Sequence, residues 1–394
     1  MSPLENTTKT FPTRADVVVV GGGIIGLAVA HELIERGRRV VVLDDEHRAG
    51  NSTHAAAGML APAAEADIEL PGLCEFRQWS HSLYPEFVAQ VQRLSGIDCG
   101  LGAEGTLLVA LDRDHVAELE RLRRILQAQG IGTQPLGADA VAAREPAISS
   151  RVLEGLWLSQ DLHVDQRRLV LSLRAAIAAQ GGWRSGHAVV DRVSADGEVA
   201  GQTSSGEAFV VRGDTVVLAA GSWTNVGIGL VRHLPLRPVK GQLLRLHAPG
   251  LLHHVVRTPE VYLVPHADGD LVVGATVEDQ GFDARPTAGA VLDLLRHAWR
   301  AIPSLHDLPL REIVVGFRPC ARDHRPLIGR VEGRVLVATG HYRNGILLAP
   351  GTARMIAALV CDDPLPALLT HFDPRRYGHM SDTELPVRAG ERTS

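Results

Sequence analysis

Two short apolar runs, one near each end of the chain, lead through a glycine-rich turn into a longer apolar stretch. The first unit has its run at residues 17–20, its turn at 21–26 and its apolar stretch at 27–35. The second repeats this order over residues 335–338, 340–345 and 346–360. Short apolar runs bounded by glycine are typical of buried strands, and the longer stretches are typical of helices. The pattern therefore predicts a strand–turn–helix unit at each end of the chain.

Between these two units, helical and strand periods alternate. Apolar positions at helical spacing predict helices over residues 73–94, where a break at Pro85 stays open, and over 112–129, 165–180 and 287–302. Shorter runs predict strands over residues 40–43, 216–219, 243–246, 262–264 and 271–273, with the last two joined in a hairpin by a turn at 267–270.

The order of these elements predicts an α/β fold class with two interleaved domains. Parallel strands from both ends and the middle of the chain would form a Rossmann-like domain that is discontinuous in sequence. The remaining strands would form a second, α+β domain around an antiparallel sheet. At 394 residues the chain is long enough for both domains. We predict residues 14–95, 158–236 and 313–377 for the Rossmann-like domain, and residues 96–157 and 237–312 for the second.

The first glycine turn has the spacing of a dinucleotide-binding loop. Gly21, Gly23 and Gly26 fit G-x-G-x-x-G between a strand and a helix. In that motif the first glycine permits a tight turn, the second lets backbone N–H groups approach a pyrophosphate, and the third lets helix pack on strand. Asp44 ends the next strand and is placed to accept hydrogen bonds from ribose hydroxyls, although the two acids that follow it could take that role. Glycines that serve packing alone are the alternative, and the complete order of elements favours a nucleotide.

The segment after Asp44 and the second glycine turn indicate which dinucleotide is bound. Ser52 and Thr53 can donate hydroxyls to phosphate or ribitol, and the small residues 55–58 leave a backbone that can lie against a flat ring. By itself this segment would be interpreted as a tightly packed loop. Two strand–turn–helix units at opposite ends, however, suit one large cofactor held from both sides. FAD has a pyrophosphate for one helix N-terminus and an electron-accepting ring for the other.

Six motifs together resemble the D-amino-acid oxidase family of FAD-dependent amine oxidases, and within it the glycine oxidase group. They cover residues 17–33, 52–62, 216–223, 262–276, 316–319 and 340–350, in the order of the family. The chain departs from that pattern at three positions. Asp44 stands where many relatives carry Glu, and Val277 stands where a relative has Met. Gly351 stands where Ala is frequent, and glycine favours a helix less than alanine does. The resemblance implies a cofactor site made of Gly21, Gly23, Ile24, Ile25, Gly26, Asp44, Ser52, Thr53, Ala56, Ala57, Gly58, Met59, Val190, Gly221, Trp223, Gly340, His341, Arg343, Asn344, Gly345, Ile346 and Leu347.

The resemblance also implies a substrate site that contains Tyr262, Arg318 and Arg343. Arg318 follows the run 313–315 and precedes Pro319, so we expect it at a strand end. A guanidinium there can hold a carboxylate through two hydrogen bonds, although position alone is equally compatible with a structural ion pair. Tyr262 would donate its phenol to the same carboxylate, and the backbone of Arg343 would accept from the substrate amine. No acid–base residue is assigned, because hydride can pass from the α-carbon to the flavin once the amine is neutral.

Composition narrows the class of protein and its surroundings. The apolar content of 45% and the net charge of −5 give no basic surface for nucleic acid. The longest apolar run, residues 17–30, is broken by glycines, so no membrane span is expected. Four cysteines without C-x-x-C spacing fit a reducing compartment, and we expect a cytoplasmic protein. The first thirteen residues and those from 381 onward are interpreted as loose tails.

Three further residue types are given no role in the chemistry. The eighteen histidines show no metal-ligand spacing, so no metal site is predicted. In relatives with covalent flavin the attachment cysteine lies two residues before the position of Arg318. That residue is Gly316 here, and FAD is therefore expected to be noncovalent. Cys320 is expected to be a structural thiol, and Lys240 a solvent-facing side chain.

The resulting hypothesis is an FAD-dependent glycine or small-amine oxidase. Its partners would be a small amine substrate and O2, and its products an imine and H2O2. The resemblance places the glycine imine in the thiazole branch of thiamine synthesis. Two alternatives stay open: a D-amino-acid or sarcosine dehydrogenase that passes electrons to a quinone or a protein, and a catalytically silent flavoprotein subunit. Assembly into a homo-oligomer also stays open.

Overall fold

The computed structural model describes residues 11–64, 70, 72–226 and 233–378. Residues 1–10 of the predicted N-terminal tail and the predicted tail from residue 381 lie outside the described residues.

The helices and strands of this part of the chain alternate in the order expected of an α/β protein with an inserted antiparallel sheet. The helices are α1 (Ile24–Glu35), α2 (Leu73–Ser95), α3 (Arg113–Ala128), α4 (Ala138–Arg144), α5 (Gln166–Ala179), α6 (Ala288–Ala301) and α7 (Gly345–Cys361). The strands are β1 (Arg14–Val20), β2 (Val40–Leu43), β3 (Met59–Leu60), β4 (Thr106–Ala110), β5 (Gln134–Gly137), β6 (Glu154–Leu158), β7 (Leu162–His163), β8 (Trp183–Ser185), β9 (Ala188–Val193), β10 (Glu198–Thr203), β11 (Ala208–Leu218), β12 (Leu236–His247), β13 (Val255–Arg257), β14 (Tyr262–Pro265), β15 (Asp270–Gly274), β16 (Leu310–Ala321), β17 (Leu327–Glu332) and β18 (Val335–Thr339).

The first sheet collects strands from three distant parts of the chain. Its order is β17-β18-β11-β1-β2-β8, and the hairpin of β9 and β10 extends β11. The run from β8 through β2, β1 and β11 to β18 is parallel, with Val17 opposite both Val40 and Thr215. Parallel strands covered on both faces read as continuous apolar runs, and the valines of β1 and β2 are buried accordingly. The predicted Rossmann-like fold, discontinuous in sequence, is confirmed.

The second sheet is the predicted antiparallel one. Its order is β16-β12-β15-β14-β13-β4-β6-β5, and only the β13–β4 pair is parallel. The hairpin of β14 and β15 places Tyr262 opposite Gly274, and β12 lies between β15 and β16 with Val239 opposite Arg318. This register decides which side chains meet at the candidate site.

Helix α7 is the buried helix that follows the second glycine turn. Pro350 lies inside it and cannot donate to the Ile346 carbonyl, so the Tyr84 hydroxyl of α2 donates to that carbonyl instead, at 2.5 Å. Ser80 of the same helix donates to the Leu347 carbonyl at 2.7 Å and accepts from the Gly351 N–H at 3.1 Å. A β-carbon added at Gly351 would lie 2.7 Å from a ring carbon of Phe76, so the departure from alanine at this position serves the packing of α2 on α7.

The same segment tests the prediction about membranes. Tyr342–Cys361 is long and apolar enough to cross a bilayer by length and composition, but 72% of it is buried inside the protein. Its apolar residues form the core with α1 and α2. The segment therefore has the surroundings of a core helix.

One sequence prediction about the elements differs from the structure. Arg318 does not end a strand, because β16 continues to Ala321 and pairs with β12 on both sides of it. The break at Pro85, which the sequence left open, does not occur, and helix α2 runs unbroken through this residue. The domain ranges stay a prediction.

Candidate functional site

A cavity of about 230 Å³ lies where the carboxyl ends of the parallel strands meet the second sheet. The ends of β1, β2 and β18 line one side of it, and β12, β14 and β16 line the other. Ligands of open parallel sheets bind at this end of the strands. Every residue predicted for the cofactor or substrate site lines this cavity except Gly26 and Gly340. The two glycine turns are thus brought to one cavity.

The three glycines of the first turn have different physical roles. A β-carbon added at Gly21, which has a φ of +110°, would lie 2.4 Å from the Ala219 carbonyl oxygen. One added at Gly26 would lie 1.9 Å from the Gly21 carbonyl oxygen. One added at Gly23 would meet only the Thr53 hydroxyl, at 3.1 Å. Gly21 and Gly26 are therefore required by the fold, while Gly23 keeps space open on the side of the cavity.

Asp44 has the surroundings expected of a ribose ligand. Its Oδ2 atom is buried and has no hydrogen-bond partner among the described residues. Burial raises the pKa of this carboxyl above its ordinary value. The next two acids are occupied elsewhere, because Asp45 pairs with Arg48 and Glu46 pairs with two other arginines, Arg174 and Arg184. Of the three acids, Asp44 is the one left to accept from a ligand hydroxyl.

The small-residue segment after Asp44 contacts four other parts of the chain. Thr53 accepts from the Ile24 N–H at 3.1 Å, which fixes the segment against the first turn of α1. The Ala57 carbonyl lies 3.2 Å from Nε2 of His266, and the Ala56 carbonyl accepts from Gln166. Ala55 packs so tightly on β16 that a β-carbon at Gly316 would lie 2.4 Å from its own. The backbone of residues 55–58 therefore lies as a fixed wall of the cavity.

The second glycine turn holds α7 by its N-terminus. Gly340 and Tyr342 both have left-handed backbone conformations, with φ of +74° and +49°. The Asn344 side chain accepts from Nε of Arg77 at 3.1 Å. The ring of His341 is buried and shares a 3.0 Å hydrogen bond with Thr352. Burial lowers the pKa of His341 to about 3, so the ring is neutral at physiological pH.

Two other aromatic residues pack against Trp223, which lines the cavity. The ring of Phe282 stacks on Trp223 with 5.7 Å between centroids, and Phe317 meets both rings edge-on. The Arg48 guanidinium lies 5.7 Å from the Trp223 ring centroid. Sequence reasoning named Trp223 and gave no role to the other three residues, since no local pattern connects them.

The substrate side of the cavity is built on four neighbouring strands of the second sheet. Arg318 on β16 and Tyr262 on β14 are separated by β12 and β15, which carry Gly241 and Gly274. A β-carbon at Gly241 would lie 2.3 to 2.5 Å from three guanidinium atoms of Arg318, and one at Gly274 would lie 2.5 Å from the Tyr262 hydroxyl. The Arg318 guanidinium and the Tyr262 hydroxyl therefore converge above the two central strands. Gly241 and Gly274 lie beneath them, and we call these two residues the glycine floor.

The Arg318 guanidinium is oriented by backbone carbonyls. Its Nη1 atom donates to the Thr276 carbonyl at 3.0 Å and to the Lys240 carbonyl at 3.4 Å. A guanidinium has five N–H donors, so this arrangement leaves donors for a ligand carboxylate. No ion pair of Arg318 with a carboxylate occurs among the described residues. The structural ion pair considered from the sequence is therefore absent from this part of the chain.

Sequence reasoning missed the glycine floor and misjudged one lysine. Gly241 and Gly274 flank predicted strands, and a glycine within a strand signals close approach of another group, which could have identified them. Lys240, predicted to face solvent, is 1% exposed and lies under the segment that carries Val277. Val277 itself lines the cavity and is 58% exposed, which places it at the mouth.

The cavity fits FAD on three observations. The open space at Gly23 lies at the N-terminus of α1, where backbone N–H groups attract a pyrophosphate. The orphaned Oδ2 of Asp44 matches a ribose hydroxyl. The N-terminus of α7 faces the same cavity through residues 344–347. None of the four cysteines, all of which lie in the described ranges, lines the cavity.

Comparison with known proteins gives the same result. Residues 16–359 match the family described as FAD dependent oxidoreductase. The chain is 36% identical over 382 residues to the bifunctional protein ThiO/ThiG of a Nostoc species, covering 93% of this chain but only 56% of that protein, so it spans about half the length of that relative. It is 31% identical to a glycine oxidase of Bacillus licheniformis, covering 89% of this chain and 94% of the relative. The structure superposes on the crystal structure of glycine oxidase from Geobacillus kaustophilus with a TM-score of 0.84 and 30% identity, covering 92% of this chain and 99% of that one. This chain belongs to the D-amino-acid oxidase family of FAD-dependent oxidoreductases.

Proposed function

We propose that this chain oxidises glycine, and with it sarcosine and small D-amino acids, to the corresponding imine while O2 is reduced to H2O2. The observation that carries the proposal is the convergence of Arg318 and Tyr262 over Gly241 and Gly274, in the cavity lined by both glycine turns. The relatives named glycine oxidase, from Bacillus licheniformis and Geobacillus kaustophilus, support the choice of substrate.

The cofactor would be held without a covalent bond, by the ends of two helices. The N-terminus of α1 with Gly23 would hold the pyrophosphate, and Asp44 would accept from the ribose hydroxyls. Residues 55–58 would lie along the ring system, and the positive N-terminal end of α7 would face its pyrimidine edge. Bound FAD supplies the acceptor for the two electrons that leave the substrate.

The residues of the chain would bind and orient the amino acid. The Arg318 guanidinium would hold the carboxylate through two charge-assisted hydrogen bonds, and the Tyr262 hydroxyl would donate a third. The Arg343 backbone carbonyl would accept from the amine. The buried ring of His341, with a pKa lowered to about 3, is too weak a base to accept a proton near pH 7, so it would serve packing and not proton transfer. Correct placement of the α-carbon is therefore the main contribution of the protein to the rate.

The physiological setting is part of the proposal. By resemblance, the glycine imine would supply the thiazole moiety of thiamine, and the Nostoc relative named ThiO/ThiG is consistent with that pathway. The predicted domain ranges, a cytoplasmic location and the use of O2 as acceptor belong to the same proposal.

The direct test is anaerobic mixing of the purified, flavin-loaded protein with glycine. We expect the yellow flavin absorbance to bleach, and readmission of air to consume O2 and form H2O2. If glycine bleaches the flavin but the reduced flavin does not react with O2, the protein is a dehydrogenase and not an oxidase. Flavin that glycine, sarcosine and D-alanine all fail to bleach would contradict the proposed activity.

The anchor is tested by Arg318→Ala. Loss of a charge-assisted bidentate contact should cost about 2–4 kcal/mol of transition-state binding, a fall in kcat/KM for glycine of about 30- to 1000-fold, with flavin content unchanged. Arg318→Lys should recover only part, because a point charge cannot reproduce the fork. Arg311→Ala is the matched control, since Arg311 lies on the same strand, pairs with Asp270 and does not line the cavity. Parental kcat/KM in Arg318→Ala would place the carboxylate site elsewhere.

A further inference from the structure

Lys240 is an unusual residue in this chain. Of the 40 lysines and arginines only two are lysines, and this one is 1% exposed. A buried ammonium group persists only where other groups replace its water shell. Its surroundings therefore indicate what the charge holds in place.

The partners of the Lys240 side chain all belong to one segment, residues 276–287, that runs beside β12 at the mouth of the cavity. The Nζ atom donates to the Arg285 carbonyl at 2.8 Å and lies 3.8 Å from Oε2 of Glu278. The backbones of Lys240 and Glu278 also exchange two hydrogen bonds, of 3.0 and 2.9 Å. One lysine thus holds the segment near both of its ends, at Glu278 and Arg285.

Gln242, which is fully buried, provides a second set of ties to the same segment. Its Nε2 donates to Oε1 of Glu278 at 2.8 Å and to the Thr287 hydroxyl at 3.1 Å, and its Oε1 accepts from the Thr287 N–H at 2.9 Å. The Gln242 N–H donates to the Thr276 hydroxyl at 2.9 Å. Because Lys240 and Gln242 flank Gly241, the strand that gives Arg318 its floor also fixes the 276–287 segment.

The 276–287 segment in turn makes three contacts with the candidate site. The Thr276 carbonyl accepts from Nη1 of Arg318 at 3.0 Å. Val277 lines the cavity, and the ring of Phe282 stacks on Trp223. A shift of this segment would therefore turn the guanidinium away from its ligand as well as open the mouth.

We propose that Lys240 is a positioning residue for the substrate carboxylate, acting through the 276–287 segment on the orientation of Arg318. The inference rests on the proposed function only in taking Arg318 as the carboxylate anchor. Lys240 does not line the cavity, so a ligand bound there would lie outside its reach. Its ammonium group holds the segment in place through the hydrogen bond to the Arg285 carbonyl and the attraction to Glu278. The Thr276 carbonyl of the held segment then accepts from Nη1 and orients the guanidinium.

The test variant is Lys240→Met, which keeps the length of the side chain and removes the charge and the donor. Glu278 keeps two donors in this variant, Gln242 and Thr276, so the fold should tolerate it. The matched control is Arg285→Ala. The Arg285 side chain is exposed and pairs with Asp283, while the carbonyl that Lys240 contacts is retained.

The first measurement is the affinity for acetate, a carboxylate without an amine, followed by the change it causes in the flavin spectrum of the loaded protein. We expect Kd to rise about 10-fold in Lys240→Met and to stay unchanged in Arg285→Ala. In an Arg318→Ala background, Lys240→Met should change the Kd by less than about 2-fold, because the route of its effect is gone. With glycine as substrate, KM should rise while kcat at saturation stays within about 2-fold of the parent.

The second measurement is hydrogen exchange of the amides in residues 276–287, which does not depend on turnover. Exchange should be faster in Lys240→Met and unchanged in Arg285→Ala. If Lys240→Met does not accumulate as folded protein, Glu278→Gln replaces it, with the same direction expected for acetate affinity and exchange.

Two results would overturn the inference: parental acetate affinity in Lys240→Met, or a loss of affinity that is equally large in the Arg318→Ala background. The latter would show a general structural role. Failure of the proposed function gives a different pattern, in which Arg318→Ala itself leaves acetate binding unchanged.

Discussion

Gly241 is the position where the smallest change should have the largest effect on the substrate site. In Gly241→Ala, the new methyl carbon would lie 2.3 Å from Nη1 and 2.5 Å from both Cζ and Nη2 of Arg318, whereas ordinary contacts begin at 3.4 Å. The guanidinium must therefore retreat by about 1 Å. It is the free end of a flexible side chain, so it can move without displacing β12 or β16. The backbone of Gly241 has no left-handed conformation that alanine would resist.

A displacement of about 1 Å is enough to disable a bidentate anchor. It breaks the hydrogen bond from Nη1 to the Thr276 carbonyl. It also moves the two guanidinium N–H groups that would face the ligand out of hydrogen-bonding distance of a carboxylate. Misplacement on this scale costs up to about 100-fold in rate. We expect kcat/KM for glycine to fall about 10- to 100-fold, or about 1.4–2.7 kcal/mol of transition-state stabilisation. Flavin content should match the parent, and Tm should change by less than about 2 °C.

The assay is steady-state O2 consumption with glycine, together with flavin content and thermal unfolding of the same preparations. Gly289→Ala is the matched control, because a β-carbon there meets nothing within 4 Å. In the Arg318→Ala background, Gly241→Ala should have almost no further effect. Parental kcat/KM in Gly241→Ala would refute the inference that the glycine floor sets the position of Arg318. So would a loss of flavin as large as the loss of activity.

Three further predictions concern the cofactor, the pocket and pH. Gly23→Val should abolish FAD loading while the apoprotein stays folded, because a β-carbon there meets only a hydroxyl at 3.1 Å. Gly26→Ala, in contrast, should impair folding itself. Normal flavin content in Gly23→Val would contradict the assignment of this turn. Val277→Met should lower the ratio of kcat/KM for D-alanine over glycine by about 3- to 10-fold, since extra volume at the mouth penalises the larger substrate, and an unchanged ratio would count against a role for Val277 in selectivity. The pKa of His341 falls from 6.5 to about 3 on folding, so the stability that its neutral ring provides is complete above pH 6.5 and is lost as pH falls toward 3. In His341→Gln the free energy of unfolding should therefore fall less steeply between pH 6.5 and 4.5, by up to about 1.4 kcal/mol per pH unit. Equal slopes in both proteins, measured by denaturant unfolding at each pH, would disprove the buried neutral state.

Short-range features of this protein are present in the sequence itself. The β1 turn and α1 follow from the spacing of Gly21, Gly23 and Gly26. The positive φ of Gly21 and the close approach of Gly26 to the Gly21 carbonyl are requirements within a few residues of the chain. The ends of α3 and α5 follow from Asp112 and Asp165, whose side chains accept from the first-turn N–H groups. These features depend on neighbours in the chain, and neighbours are what a sequence displays.

Partnerships between distant segments were outside the reach of pattern reasoning. Helix α2 continues through Pro85, where the sequence pattern left a break open. Lys240 lies beneath a segment about forty residues away, so nothing local marked it as buried. The length of β16 is set by its pairing with β12, which continues to Ala321, so Arg318 lies inside the strand and not at its end.

The candidate site shows the division most clearly. From the sequence alone we predicted that two glycine turns would hold one dinucleotide, and the resemblance to the family indicated Arg318 and Tyr262 as side chains that bind an anion. Only the tertiary structure decided that these two side chains converge, because that depends on the order and register of four strands drawn from residues 236–321. The register places Gly241 and Gly274 beneath the two polar heads, and a side chain at either glycine would exclude the contact. The space for these two side chains depends on which residues lie opposite each other on neighbouring strands, and it exists only once the strands are packed side by side.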